Sequence, residues 1–321
     1  MIHYPVISND LQDLPYPSNS DVQIFVGHIE DDVFTDIFWR VWSKPKSSTM
    51  TYILAIGGGG GGGTGHDRPN GDPGGGGGGG GSSGMSSLLI PSFFLPDTLY
   101  VLAGKGGAGT VAGTSVQGEG GISYISYSHS TSAPNVLLQS NTLPADIGGD
   151  GGSANPGAGG TGATISTATL GSKLGIFRSI AGQAGAAGGN ENGGNGVSVT
   201  AWSTIPLSGG AGGAGSDSNN FSGGGITAAA ATNFTYINWP TTAGAVATGG
   251  PSPGIRKGHA GINLWKPFLS SGGAGGGTND DNGGDGNMGG IGSGGGGSGT
   301  GDVQTPRSGN GGPGMVMIIS W

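Results

Sequence analysis

The chain has 321 residues, of which 79 are glycine and 18 proline, so nearly a third of its positions carry no ordinary packing side chain. With 33% apolar and 9% charged residues, it lacks the Leu, Ile, Val and Phe that conventional enzyme domains of this length need for their cores. It has no cysteine and a formal charge of −8, which excludes disulfides and zinc-thiolate sites and argues against a phosphate-backbone binder.

Met1–Pro5 lacks the cationic start and apolar stretch of a secretory signal. Residues 1–56 contain a single glycine, Gly27. Asn9–Ser20 is rich in turn residues. Val22–Ile29 then reads as a strand with Val22, Ile24 and Val26 on one face. Phe38–Trp42 and Thr49–Ile56 are further strands, separated by a Lys-Pro-Lys turn. This pattern predicts a small N-terminal β module, residues 1–56, that leads directly into the glycine-rich region.

At Ile56 the composition changes abruptly: 17 of the 25 residues in 57–81 are glycine. Further glycine clusters recur to residue 314, alternating with side-chain-rich segments at 85–103, 122–147, 164–181, 197–208, 216–248 and 251–271. They follow no fixed period, which speaks against solenoids, and no Gly-X-Y triplet, which removes collagen. Such composition usually means disorder. Here the segments between the clusters carry aromatics, and the chain ends in an apolar strand, Met315–Trp321, that needs a partner. An ordered state must satisfy the backbone without side chains. Extended glycine helices with three residues per turn can do so, because without Cβ atoms they approach closely and bond to one another. The expected fold is therefore mainly β with little or no helix. In it, a glycine-rich domain, 57–321, of packed polyglycine II helices is clamped by apolar strands, with Trp39, Trp42, Ile53, Met317, Ile319 and Trp321 as the clamp.

Trp39-Arg-Val-Trp-Ser-Lys-Pro45, then Met50-Thr-Tyr-Ile-Leu-Ala-Ile-Gly57, resembles the opening of glycine-rich domains in phage tail and fibre proteins. Gly309-Asn-Gly-Gly-Pro-Gly-Met-Val-Met-Ile-Ile-Ser-Trp321 resembles their ending, and Leu95–Gly109 their inner strand-then-glycine element. The architecture also resembles the polyglycine II fibre-tip adhesins of T-even-like phages. The resemblance implies a virion surface protein, a tail-fibre tip or spike adhesin. It would meet other virion proteins through the N-terminal module and a host receptor, protein or glycan, through loops, with no nucleic acid and no membrane insertion. A repeated virion component, in which the glycine domain packs subunits together, is the alternative.

The chemistry-bearing motifs are weak. Gly104-Lys-Gly-Gly-Ala-Gly109 follows a strand, as a dinucleotide loop does, but Thr110–Gly118 has no helical pattern to hold a pyrophosphate. Asn279–Asn287 concentrates oxygen ligands yet lacks the spaced bidentate Glu of a calcium loop, and reads as a solvated turn. The five histidines are scattered. No catalytic residue, metal or cofactor is expected, and the protein is not read as an enzyme. The sharpest functional candidates are Trp202, Phe221, Phe234, Tyr236, Trp239 and Trp265. A glycine lattice cannot bury all these aromatics, and rigidly presented aromatics make efficient recognition groups.

Overall fold

The three strands read from residues 1–56 form, but none pairs with another. The computed structural model describes residues 20–28, 39–67, 72–109, 118–151, 153–166, 169–202, 205–216, 219–228, 245–247, 249–250, 257–265, 268–279, 282–301 and 306–321. Its strands are β1 (Asp21–Val26), β2 (Arg40–Ser43), β3 (Met50–Ile56), β4 (Met85–Pro91), β5 (Thr98–Leu102), β6 (Tyr124–Ser126), β7 (Val136–Gln139) and β8 (Ile176–Ile180). They continue with β9 (Val199–Ala201), β10 (Ile226–Ala228), β11 (Ala245–Ala247), β12 (Asn263–Trp265), β13 (Phe268–Ser270), β14 (Thr278–Asn279), β15 (Asn282–Gly283) and β16 (Met315–Ser320). Among the described residues the one α-helix is a single turn, α1 (Gly171–Leu174). The fold is mainly β.

Two antiparallel sheets, β1-β16-β3-β4-β8 and β2-β5-β6-β7, face each other. Alternate residues of β4, Leu88 and Ile90, point into the space between them. There they meet Trp42, Ile53, Leu99, Val101, Ile125, Leu138 and Ile318. β3 is apolar on both faces, as a doubly buried strand must be. Ile53 and Ala55 enter this core, while Leu54 and Ile56 pack on the other side with Ile205, Leu207, Ile291 and Met315. The change of composition at Ile56 thus marks the end of β3. Besides β1, β2 and β3, the sheets on its near side take five strands from residues 85–180 and one from the C-terminus.

Beyond Ile56 the β3–β4 register does not stop. Ile56 faces Met85 in the ladder. Next, Gly57, Gly60, Gly63 and His66 donate in turn to the carbonyls of Gly84, Gly81, Gly78 and Gly75. Partner numbers fall as donor numbers rise, as in any antiparallel pair, but the bond now recurs at every third residue. The β16–β3 register carries on through Gly59 to Gly312 and Gly62 to Gly309. The β4–β8 register carries on through Ser82 to Gln183, Gly79 to Ala186 and Gly76 to Gly189.

A three-residue repeat aims successive peptide groups in three directions, so one run can bond to several neighbours at once. The 57–66 run donates to the 74–84, 118–121 and 307–314 runs and accepts from the 104–109, 145–151 and 292–301 runs. Those six are bonded to one another in a closed ring. Gly121 donates to Lys105, Gly311 to Gly107, Gly309 to Gly296, Gly80 to Gly295, Gly78 to Gly149 and Gly120 to Ala145. The 74–84, 208–216 and 292–301 runs are each ringed by six neighbours in the same way. Both directions occur: 57–66 is antiparallel to 74–84, whereas 157–163 is parallel to it, Gly157 and Gly160 donating to Gly76 and Gly79.

Glycine is demanded by this close approach. A Cβ added at Gly77 would overlap the Gly63 carbonyl oxygen, and one at Gly59 would overlap that of Ser293. Where a run reaches the surface, side chains return at the same three-residue interval: Ala158, Thr161 and Thr164 are exposed while Gly157, Gly160 and Ala163 are buried. Alanines also mark where runs border a side-chain core. Ala186, Ala211 and Ala274 line a second cluster with Val199, Ala201, Trp202, Ile226, Ala228 and Leu269.

Candidate functional surfaces

Several of the side-chain-rich segments between the glycine clusters supply strands. The 122–147 segment supplies β6 and β7, 197–208 supplies β9, and 251–271 supplies the β12–β13 hairpin. Trp202 is 5% exposed, with its indole N–H donated to the Ser270 carbonyl at 2.9 Å. Its expected exposure is corrected: the lattice borders a side-chain core that buries it. Trp265 is half-buried, its ring 5.6 Å from Phe268 and packed against the cluster of Leu54, Ile56 and Met315. Phe221 is partly exposed and exchanges backbone bonds with Thr278. Phe234, Tyr236 and Trp239 lie outside the described residues. Of the clamp residues, Trp42, Ile53 and Ile319 are buried, and Trp39, Met317 and Trp321 are partly so. The Trp321 carbonyl accepts from the backbone N–H groups of Thr49 and Met50.

The molecule has two unlike ends. β3 enters the lattice at Ile56, and β4 and β16 leave it at Met85 and Met315, so the sandwich closes one end. The runs turn back at the other, where Asp67 bridges Gly301, Gly74 bridges Ser216 and Phe221 bridges Thr278. The described side chains exposed there include Asp67, Asp72, Asn155, Asn190, Asn219 and Asn220. Short polar side chains replace missing carbonyls where the runs end or border the surface. Asp150 accepts from the Thr64 N–H at 2.7 Å, Asn310 from Gly109 at 2.7 Å, and Asp285 from Arg307 at 2.8 Å. Asn279, from the oxygen-rich stretch, accepts from the Asn282 N–H in the β14–β15 turn. Gly104–Gly109 leaves β5 as an extended run of the lattice, without a following helix in its described part.

At the sandwich end, Phe93 and Phe94 follow β4 on a short 3-10 turn, 75% and 46% exposed, with ring centroids 3.9 Å apart. Ile176, at the start of edge strand β8, is 73% exposed.

A third surface lies on the flank. The short 118–121 run sits between the 104–109 and 145–151 runs, and over it opens a cavity of about 620 Å³. Lys105, Glu119, Tyr124, Pro144, Asp146 and Ile147 line it. Beyond Tyr124 the solvent face of the four-stranded sheet carries Tyr100, whose ring meets His129 edge-on at 4.2 Å; His129 in turn stacks with Trp39 at 6.1 Å. Tyr124 pairs with Leu102, and Tyr100 with Ser126, which makes the two tyrosines diagonal neighbours on adjacent strands. Sequence reasoning missed this row. Its one available signal was the outward place of Tyr100 and Tyr124 in alternating strands, and the β5–β6 pairing that joins them is not written in either strand.

No protein-family model matches the chain, and no curated protein sequence does.

Proposed function

We propose that this protein is a particle-surface component of the phage tail-fibre kind, in which the glycine runs are polyglycine II helices packed into a stiff block. The sandwich end attaches to the particle, and the opposite end meets the host surface. The observation that carries this reading is the continuity between the two parts. Strands held in an apolar core pass without a break in register into runs that are each ringed by neighbours and that turn back at a polar far end. A block bonded in this way gains stiffness from main-chain bonds and needs no hydrophobic interior. Exposed Phe93, Phe94 and Ile176 give the sandwich end the apolar surface that an attachment contact uses. The polar far end, with Phe221 near it, is the face left for a receptor.

The same apolar surface favours a second reading, a repeated coat or tail component whose copies pack through it. Quantitative mass spectrometry of purified particles separates the two: a handful of copies per particle supports the fibre-tip reading, and hundreds support the repeated component. Absence from every particle removes both. The helix type has its own test, a crystal structure, in which run glycines should lie near φ of about −75° and ψ of about +145°.

A further inference from the structure

We propose that the flank cavity and the aromatic row beside it form a binding site for a linear oligosaccharide. A sugar ring offers an apolar face of C–H groups and a rim of hydroxyls, so a protein site for it needs flat aromatic surface beside carboxylates and main-chain groups. Both lie together here. Lys105, Glu119 and Asp146 bring charged and hydrogen-bonding groups to a cavity of about 620 Å³, within the range of small-ligand sites. Tyr124 stands at its edge, and Tyr100, His129 and Trp39 continue away from it across the sheet. A chain with one end in the cavity can extend over these rings.

The setting is rigid, which keeps the entropy of binding low. Glu119 rises from a run whose neighbours Gly118, Gly120 and Gly121 are bonded into the lattice on both sides. Tyr124 and Tyr100 are held by the β5–β6 ladder. Two carboxylates against one lysine favour a neutral sugar over a sulfated or carboxylated one. The Tyr124 hydroxyl at the cavity edge can donate to a sugar oxygen.

This inference does not rest on the particle-surface reading, because it concerns the isolated chain. The test titrates the purified protein with cellohexaose, chitohexaose, maltohexaose and, as a charged control, a sulfated hexasaccharide, following tryptophan emission and calorimetric heat. At least one neutral or acetylated hexamer should bind and perturb the emission, and the sulfated sugar should not. Tyr100→Ala and Tyr124→Ala should each weaken binding roughly tenfold. Glu119→Gln, at an exposed position that leaves the fold intact, should also weaken it, with the melting temperature unchanged. Failure of every neutral hexamer to bind at millimolar concentration overturns the proposal. So does binding that survives all three substitutions, which would place the sugar elsewhere. Particle copy number remains a separate readout, so either proposal can fail alone.

Discussion

Ile56 and Met85 face each other on the last rung of the β3–β4 ladder, and the residues just beyond them, Gly57 and Gly84, are already bonded as the first rung of the glycine lattice. The sheet therefore acts as a template. It fixes the register in which two glycine runs meet, although the runs have few side chains with which to choose one. Trp321 secures the outer end of the same sheet by accepting from Thr49 and Met50.

Interior glycines should tolerate no side chain. In Gly77→Ala the new methyl collides with the Gly63 carbonyl, part of a backbone bonded on several sides. Overpacking of this kind typically costs about 1–3 kcal/mol, and a backbone that cannot yield should bring it to the upper end. The control Ala184→Ser, at an exposed position of the 182–190 run, should change stability by less than about 0.5 kcal/mol. Urea denaturation of the three proteins measures both values.

The side chains that reappear at every third surface position should keep lattices of separate molecules apart, as charged residues protect sheet edges. Replacing exposed Ala158, Thr161 and Ala184 together by glycine removes that barrier on one flank. Light scattering after size exclusion should then show a higher mass than the parent chain, rising with concentration. An unchanged mass would mean that these side chains do not limit association.

Two buried tryptophans should respond unequally to phenylalanine. Trp202→Phe leaves the Ser270 carbonyl without its indole donor and should cost about 1–3 kcal/mol. The Trp42 indole N–H has no hydrogen-bond partner among the described residues, so Trp42→Phe removes a buried, unsatisfied donor while losing ring volume. Those effects offset, and the net change should stay within about 1 kcal/mol. Thermal melts of the two variants, run side by side, test the contrast.

Breaking the ion pair beside β2 should cost little. Lys44 pairs with Asp97 at 3.2 Å, but Asp97 is 95% exposed, and such pairs contribute little. Alkali should act more strongly. Burial raises the Tyr124 and Tyr127 hydroxyls above the usual phenol value of 10.0, so the folded chain resists forming phenolate there. Their contribution is fully present below the unfolded value and is lost as pH rises through the folded one. Melting temperature should hold in Asp97→Asn at neutral pH, and in the parent chain it should fall above about pH 10; Tyr124→Phe should reduce that alkaline fall.

The sequence alone determined the material of this protein. Seventy-nine glycines with few apolar residues leave much of the chain to be held by its backbone, and the break at Ile56 locates where strand gives way to glycine. The apolar runs at 49–56 and 315–321 announced two strands that need partners, and they became adjacent in one sheet. What only the tertiary structure decided is adjacency. A glycine run has no side chain to distinguish one neighbour from another, so the ring around 57–66 follows from strand registers and connection lengths, which are properties of the whole chain. The same limit hid the burial of Trp202 and the meeting of Tyr124 with Tyr100. Each depends on which strand lies alongside, and in a chain held together by its backbone the side-chain pattern does not record that choice.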